Sequence, residues 1–205
     1  MQKIGILAYG SLIEEPGSEI EPLIVDRINT KTPFNVEFLR QSDGRGNAPT
    51  LIPSPYGGIP VNAVILILST EVTFEYARNI LYRRERNRVG SLDIYIEPPA
   101  HYNNAIRLPS IEGFENIDEV LYTDLRKNIP DPVTPHKLAE LALHSVKHPK
   151  GQNGRDGISY LMSIKKFGVK TILSADYERA ILELTETCTL ENALQRAKQP
   201  EFNLP

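Results

Sequence analysis

Two short stretches of this 205-residue chain hold residue types that could do chemistry. The first is Tyr9-Gly10-Ser11-Leu12, directly after an apolar run from Ile4 to Ala8. Glycine lets a ligand approach the main chain closely, and successive free N–H groups at Gly10, Ser11 and Leu12 would form a concave site for an anion or a carbonyl oxygen. The second is Leu81-Tyr82-Arg83-Arg84-Glu85-Arg86-Asn87-Arg88, where four arginines within six residues surround one carboxylate. Glu85 is available there as a general acid and base. The arginines, Arg84 among them, could hold an anionic substrate by bidentate contacts. Each stretch also has a plainer reading. Gly-Ser after a strand is ordinary turn chemistry, and arginines at a helix end complement the helix dipole from solvent.

Other constellations are weaker. His144 and His148 have the i, i+4 spacing of a metal pair, but no Glu flanks the first and no third ligand is evident, so a polar helix face is expected and no metal site. Ser11 lacks the Gly-x-Ser-x-Gly elbow of a nucleophile. There is no Gly-x-Gly-x-x-Gly and no phosphate-binding loop; Asp43-Gly44-Arg45-Gly46 reads as a hairpin turn. Cys188 is the single cysteine, which excludes intrachain disulfides, and it reads as structural. A net charge of −3 provides no global field for nucleic acid or an anionic membrane. No apolar run approaches the roughly 20 residues that span a bilayer. The chain enters a strand at once, without a charged segment ahead of a long apolar one, so a cytoplasmic protein is expected.

The elements that must position these residues come from periodicity. Ile4 to Ala8 reads as a buried strand, and a Ser18 to Ile24 segment as one helical turn. Asn35 to Arg40, Ala48 to Ile52 and the strongly apolar Val61 to Leu68 follow as strands. Their short Pro- and Gly-marked links suggest one closed or strongly curled sheet. Thr70 to Arg83 changes period: Phe74, Ala77 and Leu81 share a helical face, with glutamates in the first turns and arginines in the last. Leu92 to Ile96, Asn104 to Leu108 and Asp118 to Leu125 read as further strands. Three prolines between Asn128 and Pro135 mark a boundary, after which helices are expected from Thr134 to Lys147, Gly157 to Phe167, Ser174 to Thr185 and Thr189 to Lys198.

A first strand ending in Tyr9-Gly10-Ser11-Leu12, with Glu85 closing the helix after the main apolar strand, resembles the γ-glutamylcyclotransferase-like superfamily. Gly46-Asn47-Ala48-Pro49-Thr50-Leu51-Ile52-Pro53 and Val61 to Leu68 resemble that family's Pro-Thr-Leu and Val-x-Gly-x-hydrophobic hairpin, and the likeness covers about residues 3–125. The resemblance implies an α+β fold: a small mixed β-barrel over residues 1–130 with one internal helix, then a helical C-terminal extension over 134–199. It implies a cofactor-free reaction on a small molecule carrying a γ-glutamyl group, closing 5-oxoproline and releasing an amine or amino acid. Glu85 would carry the protons. Tyr9, Gly10, Ser11, Leu12 and Arg84 would bind the substrate. One departure stands out: relatives follow the Glu with a Gly-aromatic element, whereas here Arg86-Asn87-Arg88-Val89-Gly90-Ser91 follows. That motivates an alternative, a non-catalytic small-molecule binding or assembly protein on the same fold.

Overall fold

The computed structural model describes residues 2–102 and 105–202. The fold is mixed α+β, and the chain divides into two compact units. One takes in Met1–Pro33 and Asn62–Arg126, the other Phe34–Val61 and Lys127–Pro205.

The first unit is built around β1 (Ile4–Ala8), whose five residues are all buried, as a strand covered on both faces must be. It pairs antiparallel with β5 (Asn62–Leu68), Gly5 opposite Ile67 and Ala8 opposite Val64. On its other side it pairs parallel with β7 (Glu119–Leu121). β2 (Ile24–Lys31) lies outside β5 and β6 (Ser110–Glu112) outside β7, so the order is β2-β5-β1-β7-β6. Among the described residues the outer strands β2 and β6 do not pair with each other. β1 and β5 match the sequence reading closely. β2 does not: only Glu21–Leu23 forms a helical (3-10) turn, and an eight-residue strand follows. As an edge strand it exposes Val25, Asp26 and Arg27 together, so no period-two apolar signal marks it. Leu92 to Ile96 joins no ladder, and the adjoining expectation from Asn104 falls partly outside the described residues.

α1 (Phe74–Glu85) is the helix of this unit. Thr73 caps it, its side chain accepting from the Tyr76 N–H at 3.2 Å, so it starts four residues later than the periodicity predicts. Ala77, Ile80 and Leu81 bury its apolar face. At the other end Asn87 turns left-handed with φ 55°, while the Asn87 N–H donates to Arg84 O and the Arg88 N–H to Arg83 O. That double closure satisfies the last carbonyls and fixes where α1 stops.

The second unit pairs a β-hairpin with four helices. β3 (Val36–Ser42) and β4 (Ala48–Pro53) form their own two-stranded sheet, so they do not belong to the curled sheet expected to contain them. Their apolar side chains find cover among α2 (Pro135–Lys147), α3 (Gly157–Lys166) and α4 (Ser174–Thr185) instead. Phe38 meets Tyr177 edge-on at 5.1 Å, and the Leu51 N–H donates to the Tyr160 hydroxyl at 3.3 Å. α5 (Leu190–Lys198) completes the unit. Thr134, Asp156 and Thr189 cap three of these helices with side-chain oxygens. Ser174, expected as a cap, is the first residue of α4, and its hydroxyl accepts from the Thr171 N–H at 2.8 Å. No helix among the described residues is long and apolar enough to cross a membrane.

Close approach of β1 and β5 depends on Gly5, where a Cβ would lie 2.5 Å from Ile65 Cγ2. Gly5→Ala is expected to cost about 1–3 kcal/mol in urea unfolding. Combined with Ile65→Ala, which removes the obstructing methyl, the loss should fall short of the sum of the singles. Strict additivity would contradict this packing.

Candidate active site

Tyr9 sits at the end of β1, buried, with its hydroxyl donating to Thr123 O at 3.0 Å. Beyond it the chain folds into a compact turn: the Ile13 N–H donates to Gly10 O at 3.1 Å and the Glu15 N–H to Ser11 O at 2.8 Å. Gly10 makes this turn without a positive φ. Among the described residues the N–H groups of Gly10, Ser11 and Leu12 donate to no protein acceptor. A chain that leaves three successive amides unpaired keeps donors for an external acceptor.

Arg84, in the last turn of α1, binds this loop. Its Nη2 donates to Ser11 Oγ at 3.1 Å and to Glu15 O at 2.9 Å, and its Nε to Glu15 O at 3.2 Å. Its Nη1 donates to Glu85 Oε1 at 2.9 Å. The two side chains are nearly equally shielded, 17 % and 16 % exposed. One guanidinium therefore joins the Ser11 hydroxyl to the Glu85 carboxylate. Gly17, with φ +93°, makes room for it, because a Cβ there would approach Arg84 Cγ to 3.3 Å. Four of the five N–H donors of Arg84 are engaged internally, so its observed work is to hold Glu85 and the loop together.

The other arginines are engaged too. Arg83, only 7 % exposed, grips the Glu19 carboxylate through Nε and Nη2, the shortest contact being 2.6 Å, and donates from Nη1 to Asp93 O. The Gly90 N–H donates to the same carboxylate at 3.0 Å. Arg86 and Arg88 both reach the Asp93 carboxylate, at 3.4 and 3.1 Å. Every arginine of the run thus has a carboxylate partner, which leaves little of the free positive surface that an acidic substrate would need. Glu19, Asp93 and Gly17 carry no motif and were not singled out from sequence. The one signal was arithmetic: four arginines around one carboxylate require acids from elsewhere when the cluster packs against protein.

The histidine pair turns to local groups in the second unit. His144 Nδ1 lies 2.8 Å from Glu140 O, and His148 Nδ1 accepts from the Lys150 N–H at 3.0 Å. Among the described residues no group of His, Cys, Asp and Glu is arranged to hold a metal ion. Cys188 is exposed, just past the end of α4. In comparison with known proteins, no family model matches this chain and no curated protein matches it.

The Glu19–Arg83 pair makes stability depend on pH. Chiefly the hydrogen bonds from Arg83, helped by the Gly90 N–H and opposed by burial, hold the Glu19 carboxyl below its ordinary 4.5. A carboxyl with a lowered folded-state value stabilises fully above the unfolded value and loses that contribution as pH falls through the folded one. Glu19→Gln is therefore expected to cost about 3 kcal/mol at pH 7, the gap from wild type narrowing as pH falls below 4.5. Urea unfolding at both pH values checks this; a gap independent of pH would contradict it.

Proposed function

We propose that the first unit is a cofactor-free γ-glutamylcyclotransferase-type site, with Glu85 as its acid–base group. The observation that carries the reading is the Arg84 guanidinium, bonded at once to Glu85 and to Ser11 beside three unpaired amides. The resemblance of Tyr9-Gly10-Ser11-Leu12 and Glu85 to that superfamily adds the reaction class. On this reading the five-stranded sheet around β1 corresponds to the wall of the family's small mixed barrel.

The substrate is a γ-glutamyl amide or peptide. The amides of Gly10, Ser11 and Leu12 grip the glutamyl moiety, and Tyr9 shapes the wall. Holding the glutamyl chain curled brings its α-nitrogen against its own γ-carbonyl carbon, which replaces a costly encounter with an intramolecular one. Glu85 takes a proton from the α-nitrogen as that nitrogen attacks. The carbonyl oxygen becomes an oxyanion, which main-chain donors stabilise as its charge grows. The bond to the leaving nitrogen then breaks, and Glu85 returns its proton there. The products are 5-oxoproline and a free amine or amino acid, with no oxidant, metal or cofactor in the balance. Arg84 keeps the carboxylate aimed at the loop throughout.

Incubation with a panel of γ-glutamyl amides, amino acids and peptides is expected to yield 5-oxoproline. Glu85→Gln should lower the rate at least about 100-fold, while circular dichroism stays that of wild type. A Glu85→Gln rate equal to wild type would overturn the assignment. Ligand-induced thermal stabilisation without product from any member would replace it with the non-catalytic binding reading.

A further inference from the structure

Beyond the site, the segment after α1 breaks the usual pattern of a water-soluble surface. Leu92, Ile94 and Ile96 are 96 %, 63 % and 74 % exposed, while the intervening Asp93 and Tyr95 are half-buried. This period-two alternation marks an extended run with an apolar face toward water. Its other face is fastened to α1. Asp93 receives Arg86 and Arg88, and Tyr95 stacks edge-on to Tyr82 at 5.4 Å with Arg78 over its ring at 4.4 Å.

The main chain divides the same way. Asp93 O accepts from Arg83, the Asp93 N–H is taken by Ser91 Oγ, and the Tyr95 N–H by Asn79 Oδ1. Among the described residues, the N–H and C=O groups of Leu92, Ile94 and Ile96 have no protein partner. In an extended chain alternate residues point their main-chain groups to opposite sides. The run therefore has one edge partly closed by α1, through Asp93 O and the Tyr95 N–H, and one open edge, an arrangement that pairs readily with another strand. Arg83 and Asn79 hold α1 toward the closed edge, which keeps the open one clear.

We propose that this open edge pairs with the same edge of a second copy, making an antiparallel two-fold dimer centred on Ile94. The register is self-complementary. Ile94 faces Ile94 of the second copy, and Leu92 faces Ile96 in both directions, so the three exposed apolar residues of the open edge meet only one another. Between them Asp93 faces Tyr95 and Ser91 faces Glu97, so no like charges are opposed. Pro98 and Pro99 cannot donate to a ladder and stop it at one end, and Gly90, with φ +83°, turns the chain at the other. The pairing is thus short and closed, and does not extend into a filament.

Sedimentation velocity across about a hundredfold concentration range should show a reversible monomer–dimer equilibrium. Ile94→Asp, which sets two carboxylates on the two-fold axis at a position exposed in the monomer, should abolish the dimer without changing circular dichroism. In a Cys188→Ser background, Ile94→Cys places the two thiols on a pair whose Cα atoms lie about 5.5 Å apart, within disulfide reach. Leu92→Cys separates them by about 14 Å. The first should cross-link on oxidation at least about tenfold faster than the second. Equal cross-linking rates, a dimer that survives Ile94→Asp, or a wild-type monomer at every concentration would each overturn the proposal. The last would do so even if the edge captured an extended foreign peptide.

Discussion

The Arg84 guanidinium donates simultaneously to Glu85, to Ser11 and to the carbonyl of Glu15, and the geometry of the candidate site follows from that tie. Neighbouring residues on a helix diverge and do not normally face each other. The 2.9 Å contact between Arg84 and Glu85 is therefore made by a guanidinium that reaches its neighbour's carboxylate while its other donors engage the loop. The loop supplies the reason, since it offers acceptors that complete the guanidinium. Hydrogen bonds to a charged group are among the stronger ones in proteins, about 1.5–3 kcal/mol each. Several on one guanidinium reinforce a turn whose main-chain bonds include Gly10–Ile13 and Ser11–Glu15.

The end of α1 makes this arrangement affordable. Arg83 and Arg84 lie in its last turn, where the partial negative charge of the helix favours cations. Burying Arg83 would still be costly without a partner, and Glu19 removes that cost through paired hydrogen bonds. Asp93 holds the next two arginines and, in the same stroke, fixes the extended segment behind α1. Two neighbouring arginines thus divide the labour: Arg83 is bonded to Glu19 and Asp93, and Arg84 joins Glu85 to the loop.

How much of this could be read from the residues depended on whether the signal was local. Ile4 to Ala8 and Val61 to Leu68 are buried on both faces, so continuous apolar runs announce them. α1, α2, α3 and α5 carry their own caps, α4 is marked by periodicity alone, and the ends of all five fall within a few residues of expectation. β2 was illegible because an edge strand need not alternate. The separate sheet of β3 and β4 was illegible because a strand's sequence shows that a face is apolar, not which element covers it; here Tyr160 and Tyr177, more than a hundred residues on, do so. In the site, Glu85, Arg84 and Ser11 were visible as residue types, and the structure joins them. Glu19, Asp93 and Gly17 act only through partners distant in sequence, and a single sequence contains no record of such pairings.

Everything turns on whether the unpaired amides after β1 and the carboxylate at the end of α1 serve one ligand. Titration of isotope-labelled protein with 5-oxoproline, followed by amide and side-chain carboxyl resonances, tests this without depending on turnover. The account requires saturable shifts at the Gly10, Ser11 and Leu12 amides and at the Glu85 carboxyl, all with one dissociation constant. Shifts confined to other residues, or none up to solubility, would contradict it.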